Sequence, residues 1–182
     1  MMKRITTPLT TEVISTLNCG EQVLLSGIIY TARDSAHKRL TDSIKKGEEI
    51  PFNLQGQIIY YVGPTPARPG QVIGSAGPTT STRMDEYAPL LMEHGLKGMI
   101  GKGKRNESVR KSIQAHQAVY FAAVGGAAAL ISQSIISAKV LAYPELGPEA
   151  IYQLEVKDFP VTVVNDVYGR DMYEEGIAKY KI

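Results

Sequence analysis

Apolar residues in this chain come in short bursts broken by glycine, proline and charge, and the spacing inside each burst sets the element it predicts. From Gln22 to Tyr30, Val23-Leu24-Leu25 and Ile28-Ile29-Tyr30 flank Ser26-Gly27 in a β-type run. A helix follows almost at once. Asp34 is its expected N-cap, Ala36, Leu40 and Ile44 recur every four positions, Lys45-Lys46 fill the last turn and Gly47 stands beyond it. Arg33 therefore sits at a strand-to-helix junction. Gln57 to Gly63 reads as a strand, and Pro64, Pro66, Pro69 and Gly70 mark an extended connection to another short apolar run, Val72 to Ser75. Gly77-Pro78 then turn the chain into four hydroxyl residues, Thr79-Thr80-Ser81-Thr82, after which Met84 to Gly95 has the acidic first turn and closing glycine of a helix.

The alternation continues. Lys97 to Lys102 is a short apolar strand, Asn106 to about His116 a helix whose inner face includes Val109 and Ile113, and Ala118 to Val124 another strand. Gly125-Gly126-Ala127-Ala128-Ala129-Leu130-Ile131 suits a tightly packed helix start. Strand-like runs dominate afterwards: Val140 to Tyr143, Ile151 to Val156 and Val161 to Val164, with a turn at Asp166-Val167-Tyr168-Gly169. Strand and helix alternating from Val72 to Tyr143 imply right-handed crossovers, so the expected class is α/β, a largely parallel sheet core with β-rich flanks. At 182 residues one domain, 1–182, is the expected organisation, and no repeat, low-complexity segment or linker divides it.

Charge and cysteine content narrow the function classes. Twenty basic residues against eighteen acidic ones leave no overall field for nucleic acid or anionic lipid, so any anion site must be local. One cysteine, Cys19, rules out an internal disulfide or a cysteine-rich metal site made by this chain alone. The basic start Met1-Met2-Lys3-Arg4 is followed by no apolar leader and no run of membrane-spanning length, which makes a cytoplasmic protein the expectation.

Three cations fall at strand or loop ends beside helix starts: Arg33, Arg83 and Lys102. Ligands of open α/β sheets bind outside the carboxyl ends of the strands, where these three would share a crevice with the hydroxyl loop. Two guanidiniums that grip carboxylates bidentately and one ammonium point charge suit a dicarboxylate. Taken singly, each is a solvated surface charge, and the hydroxyl run alone is a capped helix start with Thr82 as N-cap. Gly101-Lys102-Gly103-Lys104-Arg105-Asn106 fails as a phosphate loop, because Leu96 stands where the first glycine belongs and Gly103 follows the lysine. It fails as a dinucleotide fingerprint at Asn106, and as a nucleic-acid patch it lacks interleaved aromatics. His37, one helical turn after Arg33, faces the same mouth in this reading; His94 and His116 sit at helix C-termini, where the dipole explains them. Gly125 is most simply a close-packing glycine, and would also let backbone approach a ligand.

The run Gly77-Pro78-Thr79-Thr80-Ser81-Thr82-Arg83-Met84-Asp85, the strand end Ile100-Gly101-Lys102-Gly103, Gly125-Gly126-Ala127-Ala128 and Tyr143-Pro144-Glu145-Leu146-Gly147-Pro148-Glu149-Ala150-Ile151 resemble the β subunit of class I fumarases and L-tartrate dehydratases. The resemblance extends from Thr31-Ala32-Arg33-Asp34-Ser35-Ala36-His37-Lys38 to Asp158-Phe159-Pro160. It implies a swivelling β/β/α domain and a hydro-lyase built from two parts. The larger part, an α subunit, would carry a [4Fe-4S] cluster on three cysteines; the smaller would supply substrate-binding cations and a threonine, in an α2β2-like assembly with no metal bound by this chain. Position by position, the resemblance makes Arg33 and Arg83 the substrate-carboxylate arginines, Lys102 the active-site lysine and Thr79 the catalytic base; Thr80 is a further substrate-binding candidate, and His37 and Gly125, read from their positions as above, are candidates for the layer behind the site. Thr82 stands where relatives favour glycine, and Lys104 adds a charge to the lysine loop. The implied substrate is fumarate or malate, with tartrate the nearest alternative; a non-catalytic carboxylate- or phosphate-binding module is the reading from another class.

Overall fold

A computed structural model gives the structure of the protein, described for residues 2–123 and 131–181. In chain order the elements are β1 (Lys3–Thr6), α1 (Thr11–Ser15), β2 (Gln22–Thr31), α2 (Asp34–Lys46), β3 (Ile58–Tyr60), a 3-10 turn (Ser81–Met84), α3 (Ala88–Glu93), β4 (Gly98–Gly101), α4 (Glu107–Ala115), β5 (Val119–Ala122), β6 (Ile135–Ala142), a second 3-10 segment (Pro144–Glu149), β7 (Ile151–Asn165) and α5 (Met172–Tyr180).

Strands β1 to β5 run parallel, in the order β1-β2-β3-β4-β5, and β7 pairs antiparallel with both β5 and β2. That second pairing closes β2, β3, β4, β5 and β7 into a barrel-like sheet, where the sequence implied an open one. β1 extends the edge of β2 below β3, and β6 the edge of β7 beyond β5. The fold is mixed α/β. Among the described residues no helix is long and apolar enough to cross a membrane.

Period-2 alternation explains closure and helix packing together. Ile58, Tyr60, Ile100, Val119 and Phe121 point inward, with Val23, Leu25, Ile29, Leu154, Phe159 and Val163, and form one buried cluster inside the barrel. Their neighbours Ile59, Tyr61, Met99 and Tyr120 point outward and pack with Ala36 and Leu40 of α2, Leu91 of α3 and Val109 and Ile113 of α4. Strands buried on both faces read as continuous apolar runs, which is why β2 to β5 were recognisable from sequence.

Local chemistry accounts for the departures. Val72 to Ser75 joins no strand: Ser75 N–H donates to Thr65 Oγ1 (2.7 Å) and Thr65 N–H to the Ser75 carbonyl (3.0 Å), so the segment closes on its own loop, and Val72 is exposed. Met84 to Gly95 is no single helix, because the Ser81–Met84 turn leads only through further turn to the short α3. The runs Ile151–Val156 and Val161–Val164 are one strand, β7. At Asp158 (φ 49°) a bulge opposite Ser26 Oγ (3.0 Å) lets the strand continue past Pro160. Elements β1, α1 and α5 had no counterpart in the sequence reading, and β6 begins ahead of its expected start. The predicted Gly125–Ile131 helix start lies, apart from Ile131, outside the described residues.

Candidate active site

Register places the cations. Thr31 pairs with Tyr60, Tyr60 with Ile100 and Ile100 with Phe121, so these four residues form one row across the parallel strands. Two residues further on, at the carboxyl ends, the next row holds Arg33, Val62, Lys102 and Ala123. The ladder persists toward it through Ala32 N–H to the Tyr60 carbonyl (3.2 Å), Tyr61 N–H to Ile100 (2.8 Å) and Ala123 N–H to Gly101 (3.0 Å). Arg33 and Lys102 thus stand on one rim of the barrel, two strand spacings or about 10 Å apart at the backbone.

The hydroxyl loop lies along the same rim. Thr79 N–H donates to the Tyr61 carbonyl (2.7 Å), Lys102 N–H to Thr79 (3.3 Å) and Ser81 N–H to Lys102 (2.9 Å), and Thr80 and Lys102 form a parallel bridge. The N–H groups of Thr79 and Ser81 are spent on carbonyls, and the loop enters a four-residue 3-10 turn, so it does not offer an open helix N-terminus to an anion. Ser81 is buried, its Oγ 2.6 Å from Tyr120 Oη, and Tyr120 donates to the Gly103 carbonyl (2.9 Å); one tyrosine ties the hydroxyl loop to the lysine loop. Gly101 permits this approach: a Cβ there would lie 2.1 Å from Ser81 Oγ. With Ser81 and Met84 inward, Thr82 and Arg83 face solvent.

Arg83 reaches across to α2. Its Nε donates to Asp34 Oδ1 (2.9 Å), and its Nη2 lies 2.8 Å from Oδ2 in an ion-pair contact alongside that hydrogen bond. Asp34 is therefore the first residue of α2 and a partner of Arg83, while Arg33 takes the N-cap position without a side-chain capping bond. Arg33 is mostly buried. Its guanidinium passes so close to Gly63 that a Cβ there would meet Nη1 at 2.7 Å, and its Nε lies 3.9 Å from Glu149 Oε1. Thr79 is half-buried, and Thr80 and Lys102 are exposed. No hydrogen bond or ion pair among the described residues joins the side chains of Arg33, Thr79, Thr80, Arg83 and Lys102 to one another; backbone pairing and α2 hold them on one rim. Gly125 lies outside the described residues.

Beneath the rim is a buried polar layer. His37 is fully buried, and its Nδ1 donates to the Arg33 carbonyl (2.9 Å), since a carbonyl only accepts. Nε2 is then the bare nitrogen and has no hydrogen-bond partner among the described residues. Burial, opposed by the bond to the Arg33 carbonyl and by Asp34 and assisted by the Arg105 guanidinium, pushes the imidazole down to about 4. His37 is neutral at physiological pH, packed edge-on against Tyr61 at 5.2 Å between ring centroids. Arg105, read from sequence as part of a basic loop, is buried: its Nε donates to Asp85 Oδ1 (2.6 Å), and its Cζ lies over the Tyr61 and Tyr120 rings at 5.3 and 4.9 Å. Asp85 Oδ2 accepts from Asn106 N–H (2.8 Å). This cation fastens two loops and is closed to a nucleic acid.

The residues bear on a metal cofactor as well. Burial pushes the Cys19 thiol up to about 12, with Glu175 and Asp166 adding to the effect, and Sγ donates to the Val164 carbonyl (3.3 Å). Among the described residues no group of three His, Cys, Asp or Glu side chains could hold a metal ion. An iron-sulfur cluster needs several thiolates, so this donor set does not fit one.

The model of the family described as "Fumarase C-terminus" matches residues 2–176. The chain belongs to that family. It is 39% identical over 180 residues to the anaerobic class I fumarate hydratase of Escherichia coli, covering 98% of this chain and 32% of that enzyme. It is 38% identical to fumarate hydratase 2 of Leishmania major, over 92% of this chain and 30% of that protein. A Methanocaldococcus jannaschii protein provisionally named L(+)-tartrate dehydratase subunit beta is 38% identical, with 92% of this chain and 89% of that protein covered. The chain thus spans about a third of the fumarate hydratases it matches and nearly all of a relative named as a subunit. Its family members include hydro-lyases, and the family resemblance read from the motifs is established.

Proposed function

We propose that this chain is the β subunit of a hydro-lyase that interconverts fumarate and malate by reversible addition of water, completed by a larger α subunit in an α2β2-like assembly. The observation that carries the reading is the cationic rim, with Arg33 and Lys102 in one register row and Arg83 pinned beside the helix that Arg33 begins. The share of each relative that is covered supports the second part: about two-thirds of the matched fumarate hydratases lies outside the match. The same reading assigns the barrel and its helices to the swivelling β/β/α class.

In this proposal Arg33 and Arg83 grip the substrate carboxylates and Lys102 adds a point charge. Thr79 takes the proton from the carbon next to a carboxylate. A free threonine hydroxyl is a very poor base, so it needs cations to stabilise its alkoxide, and Lys102, whose backbone N–H bonds the Thr79 carbonyl, is a candidate on the adjoining segment. Charge that builds on the carboxylate during proton removal is held by the arginines. Neutral, enclosed His37 takes no part in proton transfer; it holds the Arg33 backbone through Nδ1. The cluster implied by the resemblance is assigned to the α subunit, and no step here runs through it.

L-tartrate is the second reading of the substrate, favoured by the relative of matching length. Co-expression with a three-cysteine α chain, anaerobic reconstitution and assays with fumarate and tartrate decide between them. The expected result is hydration of fumarate by the pair and by neither chain alone. Absence of turnover with fumarate, tartrate and related diacids would leave a carboxylate-binding module in place of an enzyme.

A further inference from the structure

Two carboxylates absent from the expected site stand against its arginines. Asp34 grips Arg83 along one edge, Nε to Oδ1 at 2.9 Å and Nη2 to Oδ2 at 2.8 Å. Glu149 stands 3.9 Å from Arg33 Nε through Oε1, while its Oε2 accepts from Ser35 Oγ at 3.0 Å. We propose that Asp34 and Glu149 are positioning residues of this rim, each holding one arginine so that its free N–H edge faces the ligand carboxylate.

A guanidinium has five N–H donors in a fixed plane. Asp34 occupies the Nε side of Arg83, which leaves Nη1 and the outer Nη2 hydrogen for a ligand. Asp34 is itself held in place: it is the first residue of α2, where the helix dipole favours a carboxylate. Glu149 is held by Ser35, from the same helical turn, and Arg33 is confined on its other side by Gly63. The first turn of α2 therefore bears on both arginines: Asp34 hydrogen-bonds Arg83, and Ser35 holds Glu149, whose carboxylate faces Arg33 Nε at 3.9 Å, an ion-pair contact without a hydrogen bond among the described residues. The pairs also set the charge. Each arginine is offset by a carboxylate, and of the three rim cations only Lys102 has no ionic partner among the described residues. Orientation comes from the arginines and uncompensated charge from Lys102. The side chains of Arg83 and Asp34 are 50% and 31% exposed, so the pair adds little to folding, and its loss should appear in binding.

The kinetic part rests on the hydro-lyase reading. In the reconstituted pair, Asp34→Asn and Glu149→Gln should each raise KM for the dicarboxylate by about tenfold, with kcat held within about threefold and Tm unchanged. In an Arg83→Lys background Asp34→Asn should add no further rise, because it acts through that arginine. An unchanged KM, or an equal rise in both backgrounds, would overturn the proposal. A second arm needs no turnover: in the 15N-labelled full chain, slow exchange of the Arg83 Nε–H that Asp34→Asn abolishes supports the proposal, and fast exchange in both forms overturns it. If the wild-type pair turns over no diacid, the hydro-lyase reading fails while this arm still decides.

Discussion

Acidification should destabilise this fold through a single histidine. His37 is sealed beneath the rim with Nδ1 bound to the Arg33 carbonyl and Nε2 without a hydrogen-bond partner among the described residues, and burial pushes it from the ordinary 6.5 down to about 4. Between those values the unfolded chain binds a proton that the folded chain refuses, so stability present at neutral pH is lost as pH falls from about 6.5 toward 4 and is flat below. A depression of about 2.5 units at 1.36 kcal/mol each gives a loss of about 3 kcal/mol, a large part of a typical domain's stability. Urea unfolding at half-unit steps from pH 7.5 to 4, on wild type and His37→Asn, measures it. Asparagine keeps an N–H donor near Nδ1 and does not titrate, so the variant should be less stable at pH 7 yet lose about 3 kcal/mol less on acidification. Parallel curves would show that His37 is hydrated or partnered and would remove the physical basis for calling it a neutral support.

Other consequences of the same structure are open to test. Asp85→Ala leaves the buried Arg105 charge without its carboxylate and should cost about 3–5 kcal/mol in chemical denaturation. Cys19, its thiol pushed up to about 12, should react with iodoacetamide at pH 8 about a thousandfold more slowly than in the unfolded chain. Gly63→Ala sets a methyl 2.7 Å from Arg33 Nη1, 2.9 Å from its Cδ and 3.3 Å from the Pro148 carbonyl. It should displace the Arg33 side chain, lower Tm and weaken carboxylate binding by about tenfold, read by calorimetry on the assembled protein.

How much of this was legible beforehand depended on what each segment buries. β2 to β5 and α2 were readable because strands buried on two faces leave unbroken apolar runs and α2 carries its own stop signal at Gly47. α5 hid its nature: none of its residues is buried, and Ile177 and Tyr180 are 54% and 75% exposed, so no apolar face marks it. β1 rests on one buried side chain, Ile5, too little for a pattern. Pro160 and Asp158 made β7 look like two strands, because a bulge is a relation to the partner strand. In the site, strand ends foretold where Arg33 and Lys102 lie, since register follows from parallel pairing. The partnerships of Arg83 with Asp34 and of Arg33 with Glu149 join distant parts of the chain and left no local trace. Arg105 was legible only as one member of a basic loop, because its partners are distant in sequence; the fold brings Asp85, Tyr61 and Tyr120 around it.

The most direct test of the central claim is fumarate turnover by the reconstituted αβ pair, measured beside substrate binding, for wild type and Thr79→Ala. The account predicts hydration by wild type, loss of turnover by at least about a thousandfold in the variant, and binding within a few-fold. Turnover that survives Thr79→Ala would remove the base from this rim, and a wild-type pair that hydrates no diacid would contradict the enzyme reading itself.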